Sequence, residues 1–522
     1  MSDEYDEFEI LKKEIRDDFQ VYVELQKKLA SFSPEDKINA EEEFDYFFQE
    51  KTRFWHFLYT IMHLYNYGHK RKKIYQSILF QIKNKIQNTH FSNQHIKILC
   101  QNNIKAIEFF LTEKIISKEN VSSFFTNQEK ITYEIIEKKL SKDATTQYKI
   151  KFIQNNSKNP KVSIFEKIIR KDDIHTFQQI LSESNIDINC QFQFFDNEKY
   201  FVFKNISLSM LEYSAFYGSI QIFKFLWIQK GIKFGSNLLK CAVCGNNFDV
   251  IHLLESELKT KFDFSCLELA IAHHHYELTE YIISDLGIQQ FPDTEILNRS
   301  IKSFNALFLY DHCDDFEYEI NTLKYLTGGE LPVISVAVNQ NLLEVVKILS
   351  TIECIDLLKQ DFTGKNALHL ACAKGYYEIV KFLAESDGMN INSTDNNGRT
   401  PLHWAVQSDK EVVKYLIQLP RIDLNKENKM KSTPFLDAVI LGKLEIVKLL
   451  ANTHEIDVNR VDKDGNTALH LACEKNDLEM IKFLISFIDP TIKNYNGEIF
   501  HSLTECTSYG NASFLKKLFR IL

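Results

Sequence analysis

Two short clusters carry residue types that can bind a metal or do redox chemistry. Cys241 and Cys244 have the spacing of half a zinc site or of a dithiol pair, and residues 273–275 are three consecutive histidines. No second Cys/His pair lies at a familiar distance from either cluster, and an ordered metal site needs further ligands and a second shell. We therefore interpret the cysteines as buried structural thiols and the histidines as a turn, and we expect no metal and no cofactor.

Two other groups of residues can be combined into a functional site on paper. Cys372 and His369 could form a catalytic pair, but both belong to the repeat described below, so we assign them to the scaffold. Residues 68–73, Gly-His-Lys-Arg-Lys-Lys, could be a nuclear import signal or an anion-binding patch. We interpret this cluster as the solvated end of a helix, and with a net charge of −9 we expect no nucleic acid as partner.

Sequence motifs of common enzyme classes are absent. The chain has no Gly-x-x-x-x-Gly-Lys-Ser/Thr loop, no Gly-x-Gly-x-x-Gly after a strand, no His-Glu-x-x-His and no Gly-x-Ser-x-Gly. The sequence therefore predicts a protein that is not an enzyme.

The histidines and cysteines of the C-terminal half are placed by an internal repeat. Its clearest copy reads Thr-Pro-Leu-His-Trp-Ala at residues 400–405, and the proline position recurs at residues 367, 401, 434 and 468, in steps of 34, 33 and 34. Aspartate and glycine before this run favour a tight hairpin turn, and threonine followed by proline favours a helix start. Stretches such as Glu445–Leu450 then place apolar residues at helical spacing.

This period and this signature are those of ankyrin repeats, and residues 161–522 resemble that family. The resemblance implies an all-α fold: a solenoid of about eleven ankyrin-type helix–turn–helix units with short β-hairpin fingers, capped on its N-terminal side by a helical domain. The order of a helical region, divergent repeats and regular repeats is similar to a group of protist ankyrin proteins without an assigned activity. The resemblance implies a mode of action but no particular substrate.

Three domains are expected from the pattern. Residues 1–150 lack the repeat and are rich in aromatic residues, which favours a compact helical domain. Residues 151–326 carry divergent, finger-poor repeats, with marker steps of only 28 residues between 210, 238 and 266. Residues 327–522 carry regular repeats with a C-terminal cap. No run of about 18 apolar residues occurs, so we expect no membrane insertion. The ten cysteines and the acidic start favour a cytoplasmic or nuclear protein.

The expected function is protein–protein interaction through a preformed concave surface. Basic residues among the exposed repeat positions favour an acidic partner. Two alternatives remain: an adaptor whose N-terminal domain docks on a larger machine such as a ubiquitin ligase, and an enzyme hidden in residues 1–150. The positions that the repeat leaves exposed are the partner-binding candidates Phe362, Thr363, Lys365, Asn396, Asn397, Arg399, Gln407, Lys429, Met430, Lys463, Asn466 and Lys475.

Overall fold

The structure is a computed structural model that describes residues 2–32, 36, 38–67, 72–89, 110, 162–183, 188–193, 207–229, 232–287, 294–312, 322–324, 330–352 and 355–499. Its contacts divide the chain into two compact units, Met1–Glu317 and Tyr318–Leu522. Three features expected from the sequence lie outside the described residues: helices near 96–115 and 131–140, and the last repeat copy at 512–518. Most of the basic cluster at 68–73 also lies outside them.

The first unit begins with helices that share an aromatic core. Phe44, Trp55 and Phe57 are almost fully buried there, as the aromatic-rich sequence predicts. Tyr46 is an exception, because its ring is exposed beneath the guanidinium of Arg53. The helices are α1 (Ser2–Ser31), α2 (Ala40–Glu43), α3 (Asp45–Phe48), α4 (Lys51–Tyr67), α5 (Lys72–Gln81) and α6 (Lys83–Asn88).

Five helix pairs follow in the described part of the first unit. The first helix of each pair packs against the first helices of neighbouring pairs, as stacked repeats require. The weak copy near residue 300 is one of these pairs. The pairs are α7 (Val162–Lys171) and α8 (Ile174–Glu183), α9 (Met210–Phe216) and α10 (Ile220–Trp227), α11 (Leu238–Gly245) and α12 (Phe248–Leu258), α13 (Phe264–Ala272) and α14 (Tyr276–Leu286), and α15 (Thr294–Ser303) and α16 (Ala306–His312).

The second unit continues the same design in its described residues. Its helix pairs are α17 (Val333–Asn339) and α18 (Leu343–Ser350), α19 (Ala367–Lys374) and α20 (Tyr377–Glu385), α21 (Pro401–Ala405) and α22 (Lys410–Leu416), α23 (Pro434–Ile440) and α24 (Leu444–Ala451), and α25 (Ala468–Glu474) and α26 (Leu478–Leu484). Apolar residues of both helices in each pair form the core, so the all-α fold expected from the sequence is confirmed.

Hairpins precede two of the helix pairs. Strand β1 (Gln191–Gln193) pairs antiparallel with β2 (Ser207–Ser209) ahead of α9, and β3 (Thr322–Lys324) pairs with β4 (Glu330–Pro332) ahead of α17. By contrast, only five residues, 259–263, separate α12 from α13. Loss of the finger therefore explains the 28-residue step between residues 238 and 266. The pair that begins with α9 keeps a finger, β1 and β2, which the divergent sequence did not reveal.

A buried glutamate connects the α9 pair to the next repeat. Glu212 accepts a hydrogen bond from the backbone N–H of Ser209 at 2.9 Å and, through its other oxygen, from the N–H of Gly235 at 2.9 Å. The Ser209 hydroxyl accepts from the N–H of Glu212, which completes a capping box. The start of α9 and the chain that enters α11 are thus held by one side chain.

Within the described residues, the N-terminal helices contact the last helix pair of the first unit. Helix α1 packs along α16, and side chains of α1 and α4 surround Phe304 in the turn between α15 and α16. The cap on the N-terminal side of the repeats stays a prediction, because residues 90–109 and 111–161 lie outside the described residues. These helices bind a repeat that follows them by more than 200 residues in sequence.

Gly245 provides a test of how closely the first helices approach. A Cβ at this position would lie 2.0 Å from the carbonyl oxygen of Ala215 and 2.9 Å from the N–H nitrogen of Gly218. Gly to Ala inside a helix ordinarily stabilises by about 0.5–1 kcal/mol. We expect Gly245→Ala to do the opposite and destabilise by about 1–3 kcal/mol, because α9 and α11 must separate. The midpoint of urea unfolding, followed by circular dichroism, should fall; an increase would show that the close packing is absent.

Candidate functional site

Five fingers of the second unit, between residues 361 and 498, are each shaped by one aspartate or asparagine side chain. In the finger of residues 395–399, Asp395 Oδ1 accepts hydrogen bonds from the N–H groups of Asn397 at 2.8 Å and Arg399 at 2.9 Å. Gly398 supplies the positive φ, +76°, that the turn requires. The same pair of bonds is made by Asp361, Asn428, Asp462 and Asn494. The backbone of each finger is therefore fixed from within.

Successive fingers are joined by backbone hydrogen bonds. A Cβ on Gly364 would lie 2.5 Å from the backbone nitrogen of Asn396, so the first two fingers approach too closely for a larger residue. Four backbone bonds make these links: the N–H of Asn396 donates to the carbonyl of Thr363 at 3.0 Å, that of Lys429 to Asn397 at 2.9 Å, that of Lys463 to Met430 at 3.0 Å, and that of Tyr495 to Asp464 at 3.1 Å. The fingers consequently form one continuous ladder.

Buried histidines connect the first helices to the fingers that follow them. In α21, His403 Nδ1 accepts from the N–H of Thr400 at 3.1 Å, and Nε2 donates to the carbonyl of Ser432 in the next finger at 3.1 Å. His369 and His470 make corresponding bonds to the carbonyls of Arg399 at 3.2 Å and Glu498 at 3.0 Å. These histidines are therefore structural.

Ten of the candidate partner-binding residues lie in the fingers, whereas Gln407 and Lys475 follow the first helices α21 and α25; none is fully buried. Some of their side chains already make hydrogen bonds within the fingers: Thr363 to Asp361, Asn396 to Phe362 and Asn466 to Asp462. The exposed candidates are Phe362, Asn396, Asn397, Lys429, Met430, Lys463 and Lys475, and the half-buried ones are Thr363, Lys365, Arg399, Gln407 and Asn466. We call the surface formed by these residues the finger face.

Trp404 organises the charged part of the finger face, although it is not among the candidates. The Nζ atom of Lys365 lies 3.9 Å from the centroid of its ring, and the guanidinium of Arg399 lies 5.3 Å away. The indole N–H donates to Asp395 Oδ2 at 3.2 Å, which ties the ring to its own finger. Two cations from successive fingers are thus held on one half-buried aromatic ring. The sequence signal was the pair of basic residues 34 positions apart beside a tryptophan.

Tyr495 is a second residue that the sequence analysis missed. Its side chain is 67% exposed at the tip of the last described finger, comparable with Phe362 at 69% and Met430 at 49%. It occupies the finger position of Phe362, so aligning the finger turns would have found it. The finger face therefore presents apolar side chains at several fingers, between its cations.

The thiols at residues 241 and 244 are scaffold residues. Both lie in α11 and are buried, and burial raises the pKa of each thiol well above its ordinary value, which disfavours the reactive thiolate. Burial likewise raises the pKa of Cys266 to about 12 and moves that of Cys372 upward. Among the described residues, no group of three His, Cys, Asp or Glu side chains is arranged to hold a metal ion.

The three consecutive histidines form the turn between α13 and α14. His275 Nε2 pairs with the carbonyl of Cys244 at 3.1 Å, and His274 Nε2 pairs with the carbonyl of Ser303 at 3.1 Å. These carbonyls belong to the preceding and the following repeat. The turn therefore connects three successive repeats through its imidazole rings.

The histidine connections predict a loss of stability in acid. Burial lowers the pKa of His369 from 6.5 to about 4, and burial also lowers the pKa of His403. The folded state disfavours the protonated ring. The contribution of each ring to the free energy of unfolding is therefore complete above pH 6.5, decreases as the pH falls towards 4 and does not change further below that. The shift at His369 corresponds to about 3 kcal/mol.

Urea unfolding of the wild type and of His369→Gln at pH 7, 6, 5 and 4.5 tests this effect. The variant removes the titrating ring, so we expect it to be less stable at pH 7 and to lose less stability than the wild type on acidification. Acidic side chains titrate in both proteins, and the difference between the two curves isolates the histidine. Parallel curves would contradict the prediction.

Comparison with known proteins agrees with this geometry. The family model described as ankyrin repeats matches residues 334–428 and 419–494. Protein phosphatase 1 regulatory subunit 12A of Mus musculus is 40% identical over 85 residues, 16% of this chain and 8% of that protein. Rabankyrin-5 of Homo sapiens is 40% identical over 77 residues, 15% and 6% respectively.

A putative ankyrin repeat protein of Rickettsia bellii is 32% identical over 95 residues, 18% of this chain and 52% of that protein. The chain spans only about half of this relative's length and less than a tenth of the other two. None of the helices in the described residues is long and apolar enough to cross a membrane. The period, the finger ladder and the histidine bonds show that residues 334–494 are ankyrin repeats and that the chain has the fold of an all-α ankyrin-repeat solenoid.

Proposed function

We propose that this chain is a non-catalytic scaffold that binds an acidic segment of a protein partner on the finger face. Ankyrin repeats are a general protein–protein interaction module and are typically non-enzymatic. The observation that carries the proposal is the cluster of Trp404, Lys365 and Arg399, because tryptophan and arginine are the residues most enriched among those that dominate binding energy.

The cluster suits a carboxylate. Lys365 and Arg399 are half-buried against the indole, so a carboxylate that binds them is partly removed from water and makes charge-assisted hydrogen bonds. Asp395 lies beside them, but its oxygens accept bonds from the finger backbone and from the indole N–H. Its position is therefore set by the fold, and its charge offsets only one of the two cations, so the three side chains together remain positively charged.

Neighbouring fingers extend the positive charge. Lys429 and Lys463 are exposed at the next two fingers, at the position of Phe362 in the first. Since the whole chain has a net charge of −9, attraction of an acidic partner would come from this local arrangement and not from the overall charge. The exposed rings and thioether of Phe362, Met430 and Tyr495 suit apolar side chains placed between the partner's carboxylates.

The rigidity of the fingers supports a binding role, because a preformed surface loses little conformational entropy when a partner binds. Internal side-chain bonds fix each finger, and the ladder fixes each finger to the next, so little ordering would accompany binding. One relative is named as a regulatory subunit, and the likeness covers only 8% of that protein. Membership of the protist group, a cytoplasmic or nuclear location and an adaptor role remain predictions.

Charge reversal tests the nature of the partner. A displayed library of random peptides, selected on the full chain, should enrich acidic sequences that contain apolar residues. Changing Lys365, Arg399, Lys429 and Lys463 to glutamate should weaken binding of the enriched peptides at least tenfold, because like charges then face each other. The matched control changes four lysines on or next to second helices to glutamate: Lys381, Lys414, Lys443 and Lys482. Its total charge changes by the same amount, and it should bind the peptides as the wild type does. Equal binding by both variants would refute the acidic preference.

Trp404→Ala separates the aromatic platform from charge alone. The variant keeps both cations but removes the ring that orders them, so we expect at least tenfold weaker binding of the same peptides. Circular dichroism of the variant checks that the fold is retained. If binding falls only with the charge reversals and not with Trp404→Ala, the face attracts acidic peptides nonspecifically and the platform has no role.

A further inference from the structure

The turn between α15 and α16 contains an unusual residue for its backbone conformation. Phe304 has φ +47°, in the left-handed region that bulky side chains rarely adopt. Turns between the helices of most described repeats use a residue with positive φ, and elsewhere this residue is small, polar or glycine. The residues at the corresponding position are Asp172, Gly218, Asn246, His274, Asn341, Gly375, Gly442 and Asn476. A phenylalanine persists in such a conformation only where surrounding contacts favour it.

Those contacts come from the N-terminal helices. The ring of Phe304 is fully buried, and Phe19 and Tyr22 of α1 lie 6.2 and 5.7 Å from it between ring centroids. From α4, His56 and Tyr59 lie 5.6 and 6.4 Å from it. Three of these four rings are tilted by 68° to 88°, the edge-on geometry that aromatic pairs favour. We call these four side chains the aromatic pocket.

Polar side chains of the same helices bind the backbone of the turn. The buried amide of Gln26 donates through Nε2 to the carbonyl of Phe304 and accepts through Oε1 from the N–H of Leu307 at 3.4 Å. The Tyr59 hydroxyl donates to the carbonyl of Lys302 at 2.9 Å. An anchor side chain in a pocket with backbone bonds on both sides is the pattern by which a protein recognises a peptide ligand.

The turn itself is formed by bonds that do not involve the N-terminal helices. The N–H of Phe304 donates to the carbonyl of Ile301 at 2.9 Å, and the N–H of Asn305 donates to that of Ser300 at 2.9 Å. The side chain of Asn305 donates to the carbonyl of Ile271 in the preceding repeat at 2.9 Å. The hydrogen bonds that shape the turn therefore come from the repeats and not from α1 or α4.

We propose that α1 and α4 form an intramolecular latch, in which the aromatic pocket holds the Phe304 turn as its ligand. The occupant is this chain's own turn, and the strained phenylalanine is kept because it fills the pocket. Release of the latch uncovers the pocket and the side of α16 that α1 covers, without unfolding the preceding repeats. The latch is a device for controlling access to this part of the first unit.

Hydrogen exchange of the full chain, read by mass spectrometry, tests the latch. Phe304→Asn removes the anchor and places asparagine in a turn position that Asn246 and Asn341 already occupy. We expect the amides of α1 and α4 to exchange at least tenfold faster, while those of α9 to α14 keep their protection. Gln26→Ala should have the same pattern with a smaller effect, and Lys27→Ala, at the exposed neighbouring position, should have none.

Two results would overturn the proposal. Unchanged protection of α1 and α4 in Phe304→Asn would show that the aromatic pocket does not depend on the anchor. Equal loss of protection in α1, α4 and α9 to α14 would show that the contact belongs to one cooperative core and cannot open separately.

Discussion

A neutral imidazole that bridges two repeats is the interaction on which the C-terminal array depends. Nδ1 must accept a bond from the start of its own helix while Nε2 donates to the next finger, and only one tautomer of the uncharged ring does both. At the third residue of α23, Leu436 stands in place of the histidine, and the Ser432 hydroxyl donates to Asp437 at 2.6 Å. Residues that resemble catalytic or metal-binding groups thus use their hydrogen-bonding atoms within the scaffold.

This constraint has a consequence for the finger face. Once histidines, finger carboxylates and backbone ladders have satisfied the polar groups of the scaffold, the outer side chains of the fingers can vary without loss of the fold. The same position carries phenylalanine, asparagine, lysine, lysine and tyrosine at residues 362, 396, 429, 463 and 495. Variation on a fixed frame is the property that a recognition surface needs, since specificity can change while the frame remains rigid.

Features that repeat in the sequence were predictable, and features that depend on distant partners were not. The 33- and 34-residue steps correctly predicted the fingers and the helix starts, because each is set by neighbours within one or two repeats. The hairpin before α9 was missed because neither of its strands carries the finger signature. The role of Trp404 was missed because its two cations come from the preceding finger and from its own.

Phe304 shows the same limit more sharply. In the sequence it is one apolar residue in a poor repeat, and its left-handed conformation and aromatic pocket involve residues almost 250 to 285 positions earlier. No local pattern can predict a contact of that separation. Local energetics even oppose it, because asparagine or glycine suits the turn better. In any array in which one turn departs from its equivalents, a residue that is locally unfavourable and fully buried by another segment indicates an interaction that the repeat alone does not require.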